Sequence, residues 1–293
     1  AGVALLYRAL AVGTMAVVAP ITAVISAIIP VLFGFATGER VGWLTATGIL
    51  LAAALPFLPT AVISPRDWWW GVSAGIFGGA GVALLYRALA VGTMAVVAPI
   101  TAVISAIIPV LFGFATGERV GWLTATGILL ALIAIVLVSQ QPAPTPENLQ
   151  IRTGLLPPGV LLALLSGVAI GIFLLSLART TSASGMWPLI VARLTSVTLF
   201  ATAAIVTGKT LRMQRGAFVT GASGGALDML ANVLMMLAAR VGPLSIVVTL
   251  VSLYPAATVV LARFVLGERL SVVQNAGIVC ALIAVVLIVG TAG

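Results

Sequence analysis

The chain has 293 residues, of which 62% are apolar and only 7% charged, against about 25% charged in ordinary soluble domains. The formal charge of +8 comes from basic residues scattered singly, apart from Lys209, Arg212 and Arg215, a pattern of membrane-flanking anchors rather than of a nucleic-acid surface. This excludes most soluble enzymes, nucleic-acid binders and disulfide-stapled secreted domains, and leaves a chain whose surface faces lipid.

There is no histidine and a single cysteine, Cys280, inside an apolar run. The commonest general base and transition-metal ligand is therefore missing, and no disulfide framework exists. Neither a metal site nor a cofactor is expected.

Each membrane span needs about 20 mostly apolar residues. In chain order, a half-length piece at 1–12 is followed by apolar stretches at 14–36 and 42–62. Charged residues and Pro/Gly turns then divide the rest into predicted helices at 68–91, 94–115, 120–139, 156–177, 186–207, 216–239, 242–265 and 271–291. Trp68, Trp69 and Trp70 follow Arg66 and Asp67 and read as an interfacial anchor. The long polar connection, Ser139 to Thr153, is rich in Pro and Gln and separates two halves.

Two internal repeats carry different meanings. Residues 1–52 recur as 80–131 without one substitution, and the copy both opens and ends inside a predicted helix. Diverged functional repeats are not identical, so this one reads as a recent rearrangement or an artefact. The second repeat is diverged: residues 71–138 align with 221–288 without a gap, and Gly117-Glu118-Arg119 falls on Gly267-Glu268-Arg269. Gly127-Ile128 falls on Gly277-Ile278, and Ala131-Leu132-Ile133-Ala134 on Ala281-Leu282-Ile283-Ala284. An odd number of spans separates these halves, so they are expected to be inverted about an axis in the membrane plane, as in many secondary transporters.

The twice-repeated pattern of a span ending in Gly-Glu-Arg and a next span whose Gly lies nine residues after that Glu resembles the EamA-type transporters of the drug/metabolite transporter superfamily. Pro188 to Arg193 resembles the family's proline-to-arginine signature, and Tyr254-Pro255 its mid-helix proline. The resemblance covers roughly residues 60–291. It implies an all-α polytopic transmembrane bundle of about ten full spans in two inverted repeats, exporting or exchanging small metabolites or drugs from a cell membrane, such as a bacterial inner membrane. It further implies that the face carrying Arg66 and the C-terminus is cytoplasmic, although the loop charges lean slightly the other way.

The departures define the expected segments. Residues 1–52 are the duplicate, 53–139 an incomplete first repeat, 140–153 the linker and 154–293 the second repeat. The first-repeat counterpart of Arg193 is Trp43, and Ser105 stands where the second repeat has Pro255.

Within the apolar spans, Asp228 is the most telling residue. An ionisable side chain at that depth faces the bundle interior by default, and its first-repeat counterpart is Gly78, so no shared packing need explains it. It reads equally as a site for a substrate ammonium or a coupling proton and as a buried partner of Arg193 or Arg263. Arg193 could take a substrate carboxylate through its planar fork, or lock helices together. Asn232, one turn after Asp228, and Tyr86 and Tyr254 complete the candidate substrate-binding set. Glu118 and Glu268 read as turn anchors, and Gly75, Gly78, Gly79 and Gly81 as sites of close helix approach. Expected partners are a small-molecule substrate, membrane lipid and protons, with no nucleic acid. The alternatives are a non-functional rearranged transporter fragment and an intramembrane enzyme or lipid-processing scaffold. Against the enzyme stands the lack of His and of paired intramembrane carboxylates.

Overall fold

Helix α1 (Pro65–Val91) starts from a strong local signal: Ser64 is the N-cap, its hydroxyl accepts from the Asp67 N–H, and Pro65 occupies the first helical position. The fixed φ of proline suits that position, where its missing N–H costs nothing. The computed structural model describes residues 64–92, 94–140, 159–206, 215–261 and 270–290. The duplicate at 1–52, most of the tail 53–64, most of the linker, and Arg263, Glu268 and Arg269 lie outside the described residues.

The helices that follow are α2 (Met94–Ala115), α3 (Trp122–Val138), α4 (Val160–Ala178), α5 (Trp187–Val206), α6 (Arg215–Val241), α7 (Leu244–Ser252), α8 (Tyr254–Leu261) and α9 (Val272–Gly290), with a 3-10 turn at Ser182–Ser184. Among the described residues there is no strand. Four helices among the described residues, Pro65–Val91, Val96–Ala115, Val160–Ala178 and Val272–Gly290, are long and apolar enough to cross a membrane. The apolar stretches at Trp122–Val138, Trp187–Ala203 and Leu244–Ala257 are shorter.

The ungapped alignment of the two halves reappears as helix boundaries. Helix α1 ends at Val91 and α6 at its counterpart Val241; α2 begins at Met94 and α7 at Leu244; α3 begins at Trp122 and α9 at Val272. Even the closing bonds correspond, Gly92 N–H to the Ala88 carbonyl and Gly242 N–H to the Ala238 carbonyl.

The two halves meet along α3 and α9. A Cβ on Gly127 would lie 2.7 Å from Ile288, and a Cβ on Gly277 would lie 2.6 Å from Val138. Since 127 pairs with 277 and 138 with 288 in the alignment, these contacts are reciprocal. The start of each helix packs on the end of the other, so the equivalent helices run antiparallel. Ala131, Ala134 and Ala284 are fully buried and Ala281 nearly so, which lets the backbones approach where dispersion replaces a hydrophobic drive. This seam forms the core cluster that also takes in Ala102, Val110, Ile246, Leu250 and Leu253.

Glycine sets the other close contacts. A Cβ on Gly71 would press on the Pro188 carbonyl and Val191, one on Gly75 on Ala192 and Thr195, and one on Gly79 on Phe200, so one face of α1 fits against α5. Gly78 and Gly81 instead meet Phe173 and Ile170 of α4, while Gly167 and Gly171 of α4 lie on Ile104 and Ile108 of α2. The packing reading of Gly75, Gly78, Gly79 and Gly81 accounts for these contacts.

One predicted element is corrected. The span expected at 242–265 is broken at Leu253, which separates α7 from α8. Pro255 has no N–H to donate and disfavours helical geometry in the residue before it. The chain instead makes shorter-range bonds there, Leu253 N–H to the Leu250 carbonyl and Ala256 N–H to the Leu253 carbonyl. In the first half the same position is Ser105, whose hydroxyl donates to the Ala102 carbonyl at 2.9 Å, and α2 continues unbroken even with Pro99 and Pro109 inside it.

Candidate functional site

Arg193 projects from the second turn of α5 and Asp228 from the middle of α6. The Arg193 Nη2 and the Asp228 Oδ2 form an ion pair, with side chains 10% and 14% exposed. Of the partners considered from the sequence, Arg193 holds Asp228. The guanidinium also donates from Nε to the Met229 Sδ at 3.2 Å. Sulfur is a weak acceptor, so the carboxylate is the strong partner Arg193 has among the described residues.

Asn232 donates from its side-chain amide to the Asp228 backbone carbonyl at 2.7 Å. It thus braces the turn that carries Asp228. Tyr86 on α1 is partly buried and lies within electrostatic range of Asp228. Arg193, Asp228 and Asn232 come together between α5 and α6, beside a cluster of Ala74, Leu177, Leu189, Ala192 and Met236 against which Met229 packs.

Tyr254 sits elsewhere in the packing. It leans on the α3–α9 cluster at the first residue of α8, next to the helix break. The structure therefore brings Arg193, Asp228 and Asn232 together, leaves Tyr86 within electrostatic range of Asp228, and places Tyr254 at the interruption of the α7–α8 helix pair.

The two other described acids have built partners that the sequence reading did not foresee. Glu118 accepts from the Leu244 N–H at 2.8 Å and the Ser245 N–H at 3.0 Å, capping the first turn of α7. The turn that aims it is formed by Gly117, whose φ of 93° is the left-handed conformation that glycine adopts without strain. Gly113 leaves the space the carboxylate fills, since a Cβ there would lie 2.5 Å from the Glu118 Oε2. That is a physical account of the Gly-Glu motif: the glycine ends one helix and the glutamate starts another.

Asp67 is fully buried. It accepts from the Thr181 N–H and hydroxyl, both at 2.8 Å, and from the Ser64 hydroxyl at 2.8 Å. Arg240 donates to the carbonyls of Thr181 and Gly185 in the same corner. The local signal for Asp67 was present in Ser64-Pro65-Arg66-Asp67, a capping-box spacing. The triple Trp that follows does stand outward at Trp68 and Trp69, 50% and 75% exposed.

The EamA-like transporter family matches residues 46–140 and 157–290. The chain belongs to this family. The two matched segments are the two repeats whose helices correspond above. One solved structure, described only as "Crystal structure of protein", is similar over 93% of this chain and 95% of that chain with a TM-score of 0.69 at 18% identity, a likeness of fold. No curated protein matches the chain. Family and fold together make it a membrane protein of a transporter family, with small solutes as the class of cargo.

Proposed function

We propose that the protein carries a small organic solute across a cell membrane by alternating access between two inverted repeats, about ten spans in all. The observation that carries this reading is the Arg193–Asp228 pair, largely buried between two apolar helices. Buried pairs of this kind are poor sources of stability, because desolvation offsets much of the Coulomb gain. Neither member has a charged counterpart in the first repeat, where the positions hold Trp43 and Gly78. A need common to both repeats therefore does not explain them, and a task on the transport path does.

The chemistry follows from exchange of partners. A substrate carboxylate would replace Asp228 on the planar Arg193 fork, and a substrate ammonium would replace Arg193 on Asp228. Protonation of Asp228 would release Arg193, which makes the acid the natural coupling group. Asn232 holds the Asp228 turn, and Tyr86 and Tyr254 supply hydroxyls beside the site and at the helix break. Broken helices at binding sites are a recurring device in transporters.

Support for a bacterial inner-membrane location, for export, and for a cytoplasmic Arg66 face comes from the family resemblance. A cysteine placed near Gln214 should then react with an impermeant thiol reagent from outside the cell, and protection there would reverse the orientation. A second reading, a rearranged chain that no longer transports, is favoured by the identical copy at 1–52 and 80–131. Sequencing the encoding DNA across residues 50–56 tests it. The direct test of function is solute counterflow in proteoliposomes with amino acids and organic cations, comparing the parent with Asp228→Asn.

A further inference from the structure

Contacts of Asp67 with Thr181, Gly71 with Val191, Arg240 with Gly185 and Glu118 with Leu244 place the starts of α1, α3, α5 and α7 at the same end of the bundle, the Ser64 end. At that end two carboxylates of the first repeat grip the second repeat. Glu118, in the turn between α2 and α3, accepts from the N–H groups of Leu244 and Ser245 at the start of α7. Asp67, in the first turn of α1, accepts from the N–H and hydroxyl of Thr181 in the turn after α4. Among the described residues, these are the carboxylates that bond across the two repeats.

We propose that Glu118 and Asp67 form a two-point latch that holds the repeats together at the Ser64 end and must let go for the transporter to open there. The proposal rests on the transport reading above, since a protein that never opens needs no latch. Its chemistry suits release. Each grip is a few charge-assisted hydrogen bonds to backbone N–H groups or a hydroxyl, set beside apolar packing of Gly71 on Val191 and of Phe112 on the Leu244 cluster. The N–H groups at the start of α7 carry partial positive charge that favours an anion, and water can satisfy them once Glu118 leaves. The Glu118 grip also depends on space rather than on contact partners alone, because Gly113 makes room for the carboxylate. The α3–α9 seam, where glycine and alanine pack against aliphatic side chains, joins the repeats through apolar contact.

The test reads access, not transport. A single cysteine replaces the fully buried Thr249, one turn deeper in α7 than Ser245, in a Cys280→Ser background. The protein is reconstituted in phosphatidylcholine–phosphatidylglycerol vesicles and treated with a membrane-impermeant maleimide from each face. Glu118→Gln keeps the shape but can accept from one N–H rather than two. Gly113→Ala leaves Glu118 in place chemically, displaces its carboxylate, and raises helix propensity in α2, so it stays informative where Glu118→Gln folds poorly. Both should speed labelling from the Ser64 face about tenfold, the scale of losing one charge-assisted bond, and Asp67→Asn should add to either. Unchanged labelling in folded Gly113→Ala, or equal acceleration from the opposite face, overturns the latch. Accelerated labelling without any solute movement would uphold the latch and count against the transport reading instead.

Discussion

The first repeat's α1–α3 and the second repeat's α6, α7 and α9 begin at matching positions, yet the two repeats differ where chemistry is concerned. The positions that pack are shared: Gly127 with Gly277, Ala131 with Ala281, Ala134 with Ala284. The acid within the spans and the helix-breaking proline are not. Asp228 faces Gly78 in the alignment, and Pro255 faces Ser105. Symmetry here belongs to the scaffold, and the departures from it mark the site. A duplicated scaffold needs the same small residues twice because the same backbones meet twice, whereas one substrate needs one set of recognising groups.

That contrast can be broken at the charged positions first. Arg193→Ala should destabilise the protein by about 3–5 kcal/mol, because it strands Asp228 in the bundle; chemical unfolding in detergent measures it. Arg193→Met combined with Asp228→Leu should regain stability to within about 1–2 kcal/mol of the parent, since apolar replacement of a buried pair is often neutral. The same double variant should not transport. Recovery of both stability and transport would make the pair a packing element.

The shared positions give the next largest effect. Gly127→Ala and Gly277→Ala should each cost about 1–3 kcal/mol through overpacking, and by similar amounts, because their contacts with Ile288 and Val138 are reciprocal. Unequal costs would show that the seam is less symmetric than its geometry. Ser64→Ala removes the N-cap of α1 and one Asp67 partner, and should cost about 1 kcal/mol. Pro255→Ser imports the first-repeat residue. It should change stability least, and its effect is expected in the turnover of transport as α7 and α8 join.

Most of the helical layout could be read from hydropathy, because lipid demands long apolar runs and the charged residues punctuate them. Helix α2 occupies the expected 94–115, and most other ends shift by up to four residues. The break at Leu253 was not readable from Pro255 alone. Pro99 and Pro109 lie inside a continuous α2, so the outcome depends on neighbours that satisfy or strand the freed carbonyls. The capping role of Glu118 was hidden for another reason: its partners lie 126 and 127 residues away, beyond any local pattern. Burial of Asp67 was masked by the tryptophans beside it, which do face outward. The Arg193–Asp228 pairing was one of the sequence's options, and it joins residues 35 apart on two different helices.

The central claim is that the Arg193–Asp228 pair serves transport and not merely folding. It is tested most directly by measuring accumulation of a counterflow-positive solute in proteoliposomes under an imposed pH gradient, parent against Asp228→Asn, with folding checked by helical content and monodispersity. The Asp228→Asn protein should fold but no longer accumulate solute in response to the gradient. Accumulation equal to the parent's would contradict the claim.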